Sequence, residues 1–281
     1  LRAGERVSLN RLLMGMAVSS GNDASMAVAE RVGGSGRAFV RMMNNKARQI
    51  GMSSSTFKTP NGLPAAGQYT TARDMARLGY VYLKNNPSAL QYHRVRVLKH
   101  RGAVTTNKNP LLGACPGADG LKTGHTEEAG FCLTASAKKG ERRLIEVMTG
   151  MNSNKERSEE AERLMEWGFR EFNNYNLLNK GQTIAEIPVV FGSEKQVRLV
   201  VPETVKRTLK KSQAPKIKMT AVYDKPVKAP VAAGDKLGEV RIELDGQEME
   251  NLPLVADRNV EKLGFFGRIG QNLKYLLFGA E

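Results

Sequence analysis

Two short polar motifs stand about a hundred residues apart in this chain. Ser20-Gly21-Asn22 lies between two apolar helical patterns, and Lys122-Thr123-Gly124 lies on a predicted strand. Either triplet alone is a weak signal, because a given string of three occurs by chance in roughly a few per cent of chains this long. Together and in this order they are much more specific, and they predict acyl-transfer chemistry.

Each residue type in the two motifs suits one task in such a reaction. A Ser20 hydroxyl on a tight turn can relay a proton to a departing amine, and the Asn22 amide can hold a substrate amide. The Lys122 ammonium can orient that hydroxyl and attract a substrate carboxylate. Gly124 leaves room for substrate backbone along the strand edge, and the N–H of His125 can point at a developing oxyanion.

Apolar periodicity and capping residues predict the elements that position these motifs. Ser8 can cap a helix over residues 9–18, and Ser20-Gly21-Asn22 separates it from a short helix that runs to Gly33-Gly34. Further helices are predicted over residues 37–50, from residue 71, and over 159–172. Residues 117–137 predict a hairpin with its tip at 126–129, and residues 142–149 predict a neighbouring strand.

The pattern changes after Asn174. Short β-branched runs follow, over residues 184–190, 197–201, 217–222 and 238–244, punctuated by Gly, Pro and Asp, and they predict a small all-β domain. The fold class is therefore α/β (α+β). We predict three parts: a catalytic domain over residues 1–175, the small β domain over 176–260, and an amphipathic helix over 261–281.

The sequence around the two motifs resembles that of a known family. The stretches SGNDAS, GQYTTARDMARLG, DGLKTGHTEEAGF and LMEWGF are similar to those of low-molecular-weight penicillin-binding proteins that act as D-alanyl-D-alanine carboxypeptidases. The similarity covers essentially the whole chain. It implies a β-lactamase/transpeptidase-like domain with an antiparallel sheet and helices. It also implies a serine acyl-enzyme that removes the terminal D-alanine from peptidoglycan stem peptides, inhibition by β-lactams, a part in cell wall synthesis and cell shape, and no cofactor or metal.

The resemblance also assigns the site residues. Ser20, Asn22 and Lys122 are implied to be catalytic, with Ser20 as the proton relay. Substrate binding is implied for Lys122, Thr123, Gly124, His125 and Arg157, of which His125 offers its backbone N–H to the oxyanion and Arg157 lies near the substrate carboxylate.

One motif of the family has no counterpart in the expected place. The nucleophile and its base form a Ser-x-x-Lys sequence at a helix start well before Ser-Gly-Asn, and only nineteen residues precede Ser20. Residues 55–58 and 136–139 also have the pattern Ser-x-x-Lys, but neither is predicted to begin a helix. The first is followed closely by Pro60, which disfavours helix, and the second lies at the end of a strand. We therefore expect that the nucleophile lies in a segment before Leu1, and that these 281 residues alone are inactive.

Charge and the C-terminal tail predict a membrane surface. The chain has 43 basic and 28 acidic residues, a net charge of +15, which favours anionic partners. In the tail, six apolar residues share an arc of about 120° on a helical wheel: Phe265, Phe266, Ile269, Leu273, Leu276 and Leu277. Together with the family resemblance, this implies peripheral attachment to the extracytoplasmic, periplasmic face of a bacterial inner membrane. The alternative is that this helix packs on its own β domain.

Other interpretations of the function of these residues remain open. A non-catalytic cell-wall or membrane-binding protein of the same fold would also lack the nucleophile. A β-lactamase would need a water-activating carboxylate, and no Glu-x-x-Leu-Asn-like stretch provides one. We predict no nucleic-acid partner, because no base-reading motif accompanies the scattered basic residues. Cys115 and Cys132 are predicted to be unpaired thiols, and His93 and His100 to be surface residues.

Overall fold

The chain folds into two compact units, Leu1–Arg170 and Glu171–Glu281. The computed structural model describes residues 1–2 and 4–264. The tail side chains that we predict at a membrane surface, Phe265 to Leu277, lie outside the described residues. Among the helices that are described, none combines the length and the apolar character that a membrane span requires.

Six α-helices belong to the described part of the first unit. Their bounds are α1 (Leu9–Ser19), α2 (Asn22–Gly33), α3 (Gly36–Gln49), α4 (Ala72–Asn85), the single turn α5 (Leu90–His93) and α6 (Asn154–Glu171). Ser8 caps α1 and Thr71 caps α4 through side-chain oxygens that accept backbone N–H groups. Helix α6 begins five residues before the predicted start at 159, because the Ser153 hydroxyl accepts the N–H of Glu156 and caps an earlier turn.

The strands of the first unit form a hairpin and a sheet. The hairpin pairs β1 (Val97–His100) with β2 (Ala103–Thr106), and the antiparallel sheet has the order β3 (Ala118–Thr126), β4 (Gly130–Lys139), β5 (Arg142–Met151). The predicted hairpin over residues 117–137 is confirmed as β3 and β4. Its register sets Gly124 opposite Cys132.

Helices cover both faces of this sheet. Ala161 and Met165 of α6 pack with Leu133 and Ala135 of β4 in a buried apolar cluster. The opposite face carries α4, where a Cβ on Gly79 would lie 3.3 Å from Ile145 and 3.4 Å from Leu121. The absence of a side chain at Gly79 therefore lets α4 lie directly on the sheet. Leu121, which α4 approaches here, is the residue before Lys122.

An acidic side chain is buried on the face that α6 covers. Glu146 is 7% exposed, and neither carboxyl oxygen has a hydrogen-bond partner among the described residues. Loss of hydration disfavours the charged carboxylate, so burial raises the pKa of Glu146 from 4.5 to about 8. The folded protein therefore holds this carboxyl in its neutral form at pH 7.

The buried carboxyl makes stability depend on pH. Between pH 4.5 and about 8 the folded state keeps a proton that the unfolded state loses, so the free energy of unfolding falls as pH rises through this window. We expect Glu146→Gln to remove that fall, so that the melting temperature of the variant relative to the original protein rises from pH 5 to pH 9. Glu162→Gln, at an exposed position on α6, is the control and should leave the difference flat. A flat difference for Glu146→Gln as well would contradict the buried neutral acid.

The second unit consists mainly of strands. They are β6 (Phe172–Leu178), β7 (Thr183–Val190), β8 (Gln196–Val200), β9 (Val205–Lys210), β10 (Ile217–Tyr223), β11 (Val227–Lys228), β12 (Lys236–Leu244) and β13 (Gln247–Ala256). Six of them form a sheet in the order β10-β12-β13-β8-β7-β11, and β6 pairs with β9. The four predicted runs are all strands here. The sequence missed β6, whose asparagines disfavour a strand prediction, as well as β9, β11 and β13.

Candidate functional site

The turn after α1 presents Ser20 in an unusual backbone conformation. Ser20 has φ 56° and ψ 38°, in the left-handed region, and the next N–H, that of Gly21, donates to the carbonyl of Gly15 at 3.1 Å. Residues other than glycine are uncommon in this region, and such conformations collect at functional sites. The Ser20 side chain is exposed, so the turn offers its hydroxyl to a ligand.

The structure brings the two sequence motifs together. Lys122 Nζ on β3 donates to Ser20 Oγ at 2.7 Å and to the carbonyl of Thr123 at 2.6 Å. The two side chains are 102 positions apart in the chain. The predicted proximity of the position-20 hydroxyl and the position-122 ammonium is therefore confirmed.

The ammonium of Lys122 lies in a strongly cationic setting. Burial lowers the pKa of Lys122 to about 8, and the positive charges of Lys108 and Arg157 add to the shift. None of the ion pairs found among the described residues involves these three side chains. Three neighbouring cations without a carboxylate partner form a site that favours an anion.

Arg157 is held in this site by neutral groups. Its guanidinium donates to the carbonyl of Cys132 at 3.4 Å, to the carbonyl of Lys108 at 3.2 Å and to Asn154 Oδ1 at 2.8 Å. The residue is 4% exposed and its Nε has no hydrogen-bond partner in the described part of the chain. These partners are neutral and do not cancel the charge of Arg157. Because an isolated buried charge is costly, the positive charge of Arg157 favours binding of an anionic ligand.

Strand β3 has room for an extended substrate beside it. It is the outer strand of its sheet in the described part of the chain, with β4 on one side. Gly124 is exposed, and a Cβ there would meet no atom closer than the 3.8 Å to Cys132. His125 is also exposed, with its ring packed on Phe131 at 4.0 Å between centroids. An open strand edge of this kind can pair with the backbone of an extended peptide.

Asn22 differs from the other predicted site residues. It is the first residue of α2 and is exposed, and none of the side-chain hydrogen bonds within the described residues involves it. The structure thus joins Ser20, Lys122 and the carbonyl of Thr123 directly and sets Arg157 close enough to Lys122 to perturb its titration. Asn22 lies two positions from Ser20 and has no hydrogen bond to Lys122 among the described residues.

Sequence reasoning missed the side chains that hold the start of β3. His93 was predicted at the surface, but it is half-buried: its Nδ1 lies 2.9 Å from the carbonyl oxygen of Leu121, and its Nε2 lies 2.9 Å from the Tyr82 hydroxyl. Asn109 Nδ2 donates to the carbonyl of Gly120 at 2.9 Å. Burial lowers the pKa of His93, so it stays neutral beside Lys122. These contacts join segments distant in sequence, and periodicity gives no signal for them.

Comparison with known proteins matches both units to described families. Residues 1–153 match the family model of D-alanyl-D-alanine carboxypeptidases, and residues 172–262 match that of the C-terminal domain of penicillin-binding protein 5. The chain is 36% identical over 271 residues to the D-alanyl-D-alanine carboxypeptidase DacC of Escherichia coli, which covers 96% of this chain and 68% of that protein.

Solved structures agree in fold and include ligand complexes. Penicillin-binding protein 5 from Haemophilus influenzae is similar with a TM-score of 0.79 and 34% identity, covering 93% of this chain and 77% of that one. Penicillin-binding protein D2 from Listeria monocytogenes, in its ampicillin-bound form, gives a TM-score of 0.55 and 34% identity, covering 59% of this chain and 70% of that one. The predicted arrangement of a catalytic-type α/β domain before an all-β domain is confirmed.

Proposed function

Because this chain belongs to the D-alanyl-D-alanine carboxypeptidase family of low-molecular-weight penicillin-binding proteins, we propose that it forms most of the site at which terminal D-alanine is removed from peptidoglycan stem peptides. The observation that carries the proposal is the 2.7 Å hydrogen bond from Lys122 Nζ to Ser20 Oγ. It links a hydroxyl on a strained turn to a half-buried ammonium on an open strand edge. An acyl transfer that expels an amine needs such a pair.

Ser20 and Lys122 divide the proton transfer and the charge stabilisation between them. Attack of a serine on the D-Ala-D-Ala peptide bond forms an acyl-enzyme and expels D-alanine, whose amine must receive a proton. The attacking serine loses its proton to its base, and the Ser20 hydroxyl relays a proton from that base to the amine, so that Ser20 is again a hydroxyl at the end of the step; the Lys122 ammonium orients this hydroxyl by donating to its oxygen. Water then hydrolyses the acyl-enzyme and restores the serine.

The cationic setting binds the carboxylate of the terminal D-alanine. Lys122 and Arg157 supply the charge, and the hydroxyl of Thr123 adds a hydrogen bond. A ligand carboxylate would give these cations the anionic partner that the described residues do not provide.

Backbone and amide groups hold the rest of the peptide. The substrate lies beside β3, where Gly124 leaves the edge uncrowded, and the N–H of His125 faces the oxyanion. The exposed Asn22 side chain, which has no hydrogen bond of its own within the described residues, is available to the substrate amide.

We propose that the acylated serine is not among these 281 residues. Ser55 lies in a loop and its hydroxyl bonds to Asp74 at 2.6 Å and Thr70 at 2.8 Å. Ser136 is fully buried on β4, where Arg143 donates to it. Of the serine hydroxyls described, only that of Ser20 is bonded to Lys122. These contacts support the proposal that the nucleophile and its lysine base lie outside these 281 residues.

The same family membership supports further proposals about inhibition and location. The ampicillin-bound form of the Listeria monocytogenes relative supports inhibition by β-lactams. A peptidoglycan substrate supports action at the extracytoplasmic face of the inner membrane, in cell wall synthesis and the maintenance of cell shape. We propose attachment to that surface through the segment from Phe265 to Leu277, with residues 1–175 as catalytic domain and 176–260 as β domain.

Fluorescent penicillin and D-alanine release together test this function. We expect the full-length protein to be labelled and to release D-alanine from a peptide that ends in D-Ala-D-Ala, and these 281 residues alone to be neither labelled nor active. Binding of peptidoglycan without labelling or release by the full-length protein would favour the alternative, a non-catalytic wall-binding protein of the same fold. Labelling of the 281-residue chain would contradict the assignment of the nucleophile.

A further inference from the structure

Basic residues dominate one continuous part of the first unit. Between residues 31 and 118 the sequence has fourteen lysines and arginines and a single carboxylate, Asp74. Asp74 is buried, where it accepts from the N–H of Ser54 at 2.9 Å and from the Ser55 hydroxyl at 2.6 Å. The surface formed by this segment therefore has no carboxylate of its own to balance its positive charge.

Six of these cations form two rows on neighbouring helices. Residues three, four or eleven positions apart share one face of an α-helix. On α3 that face carries Arg37, Arg41 and Arg48, and on α4 it carries Arg73, Arg77 and Lys84; all six are exposed. We call these six side chains the basic face.

The two rows meet where α3 ends. The Arg77 guanidinium donates to the carbonyl of Ile50 and lies against Gly51, directly after α3. No ion pair found in the described part of the chain includes a member of the basic face. The two rows thus approach each other at the end of α3, and none of the six cations is paired with a carboxylate among the described residues.

This surface lies close to the proposed site. The inner side of α4 faces the sheet, where a Cβ added to Gly79 would lie 3.4 Å from Leu121 of β3, the residue before Lys122. A helix with its side chains is about 10–12 Å across. The basic face, on the outer side of α4, is therefore about one helix diameter from the strand that carries Lys122.

The proposed substrate is itself a polyanion. Every stem peptide that ends in D-Ala-D-Ala has a terminal carboxylate, and a peptidoglycan strand carries many such peptides. We propose that the basic face binds carboxylates of neighbouring stem peptides and holds the polymer while one peptide end occupies the site at Ser20 and Lys122. This inference rests on the proposed function and adds a second contact for polymeric substrate.

Two other polyanions fit the surface less well. Nucleic-acid binding surfaces place free aromatic rings among their cations for base stacking. An exposed aromatic ring on the α4 row is that of Tyr80, and Lys84 Nζ already lies over it at 5.8 Å. Membrane surfaces are bound by a broad apolar stripe together with cations, and the α4 row adds the exposed ring of Tyr80 rather than a stripe of aliphatic side chains.

The test compares polymeric and small substrates in the full-length protein. The variant Arg37→Gln/Arg41→Gln/Arg73→Gln removes three charges whose side chains make no hydrogen bond among the described contacts. Lys211→Gln/Lys218→Gln/Lys225→Gln, at exposed positions of the second unit, is the control with the same change in net charge. At low salt we expect kcat/KM for D-alanine release from purified peptidoglycan to fall about tenfold in the first variant only, since each exposed charge contributes a few-fold. Release from a short soluble D-Ala-D-Ala peptide should stay within about twofold, and the loss on the polymer should shrink at high salt.

Several results would overturn the inference. An unchanged rate on the polymer, an equal loss in the control variant, or an equal loss on the short peptide would each do so. A loss of binding to DNA or to vesicles of anionic phospholipid, with unchanged release from the polymer, would assign the surface to those partners instead. If the original protein cleaves neither substrate, the proposed function fails, and co-sedimentation of both variants with peptidoglycan still tests the basic face.

Discussion

Lys122→Met should abolish most D-alanine release by the full-length protein. We expect kcat/KM for a D-Ala-D-Ala peptide to fall roughly 10³-fold, because one substitution removes the group that orients the Ser20 hydroxyl and a charge that faces the substrate carboxylate. The 2.7 Å contact to Ser20 gives the first effect a direct structural cause. Lys155→Met, at an exposed lysine on α6, should leave the rate within about twofold.

The same lysine predicts how the rate depends on pH. The pKa of Lys122 is lowered to about 8, so its ammonium is present below that pH and is lost above it. We therefore expect kcat/KM to decline as pH rises through about 8, and Lys122→Arg, which stays charged, to lose that decline. A rate that rises through pH 8 would show that Lys122 acts as a neutral base instead.

Arg157→Gln should weaken recognition of the substrate carboxylate. We expect kcat/KM to fall roughly 10²-fold for a peptide with a free C-terminal carboxylate, because the variant removes a buried charge that neutral groups hold in place. A peptide whose C-terminal carboxylate is replaced by an amide has nothing to lose at this position, so both proteins should cleave it at similar low rates. Arg157→Lys should recover part of the rate by restoring the charge.

Two measurements separate this effect from a loss of folding. Arg163→Gln, at an exposed arginine on the same helix, should leave both substrates unaffected. The melting temperatures of the variants show whether the first unit remains folded. If Arg157→Gln slows both peptides by the same factor while the fold persists, its role is structural and not carboxylate recognition.

Much of the fold was predictable from local signals. Polar caps at Ser8 and Thr71 mark the starts of α1 and α4, and the apolar spacing after them is helical. The hairpin of β3 and β4 follows from two extended runs around a short polar tip. The predicted start of α6 was five residues too late. The charged first turn of this helix has little apolar periodicity, and the Ser153 hydroxyl caps it.

The site was predictable only as two separate motifs. The left-handed backbone of Ser20 and its contact with Lys122 join segments 102 residues apart, and no local pattern encodes that distance. The same holds for His93, which was predicted at the surface. Its Nδ1 is hydrogen-bonded to the carbonyl of Leu121, the residue before Lys122. Glu146 carries no sequence signal at all, because on a strand of mixed polarity only its neighbours decide that it is buried.

The most direct measurement is a double-mutant cycle on Ser20 and Lys122, read as D-alanine release by the full-length protein. If the hydroxyl and the ammonium act as one unit in proton transfer, the double variant should reduce kcat/KM by no more than Lys122→Met alone, since that single change already breaks the unit and also removes the charge that faces the substrate carboxylate. If the two single losses instead multiply in the double variant, the residues act independently and the proposed site at their contact is wrong.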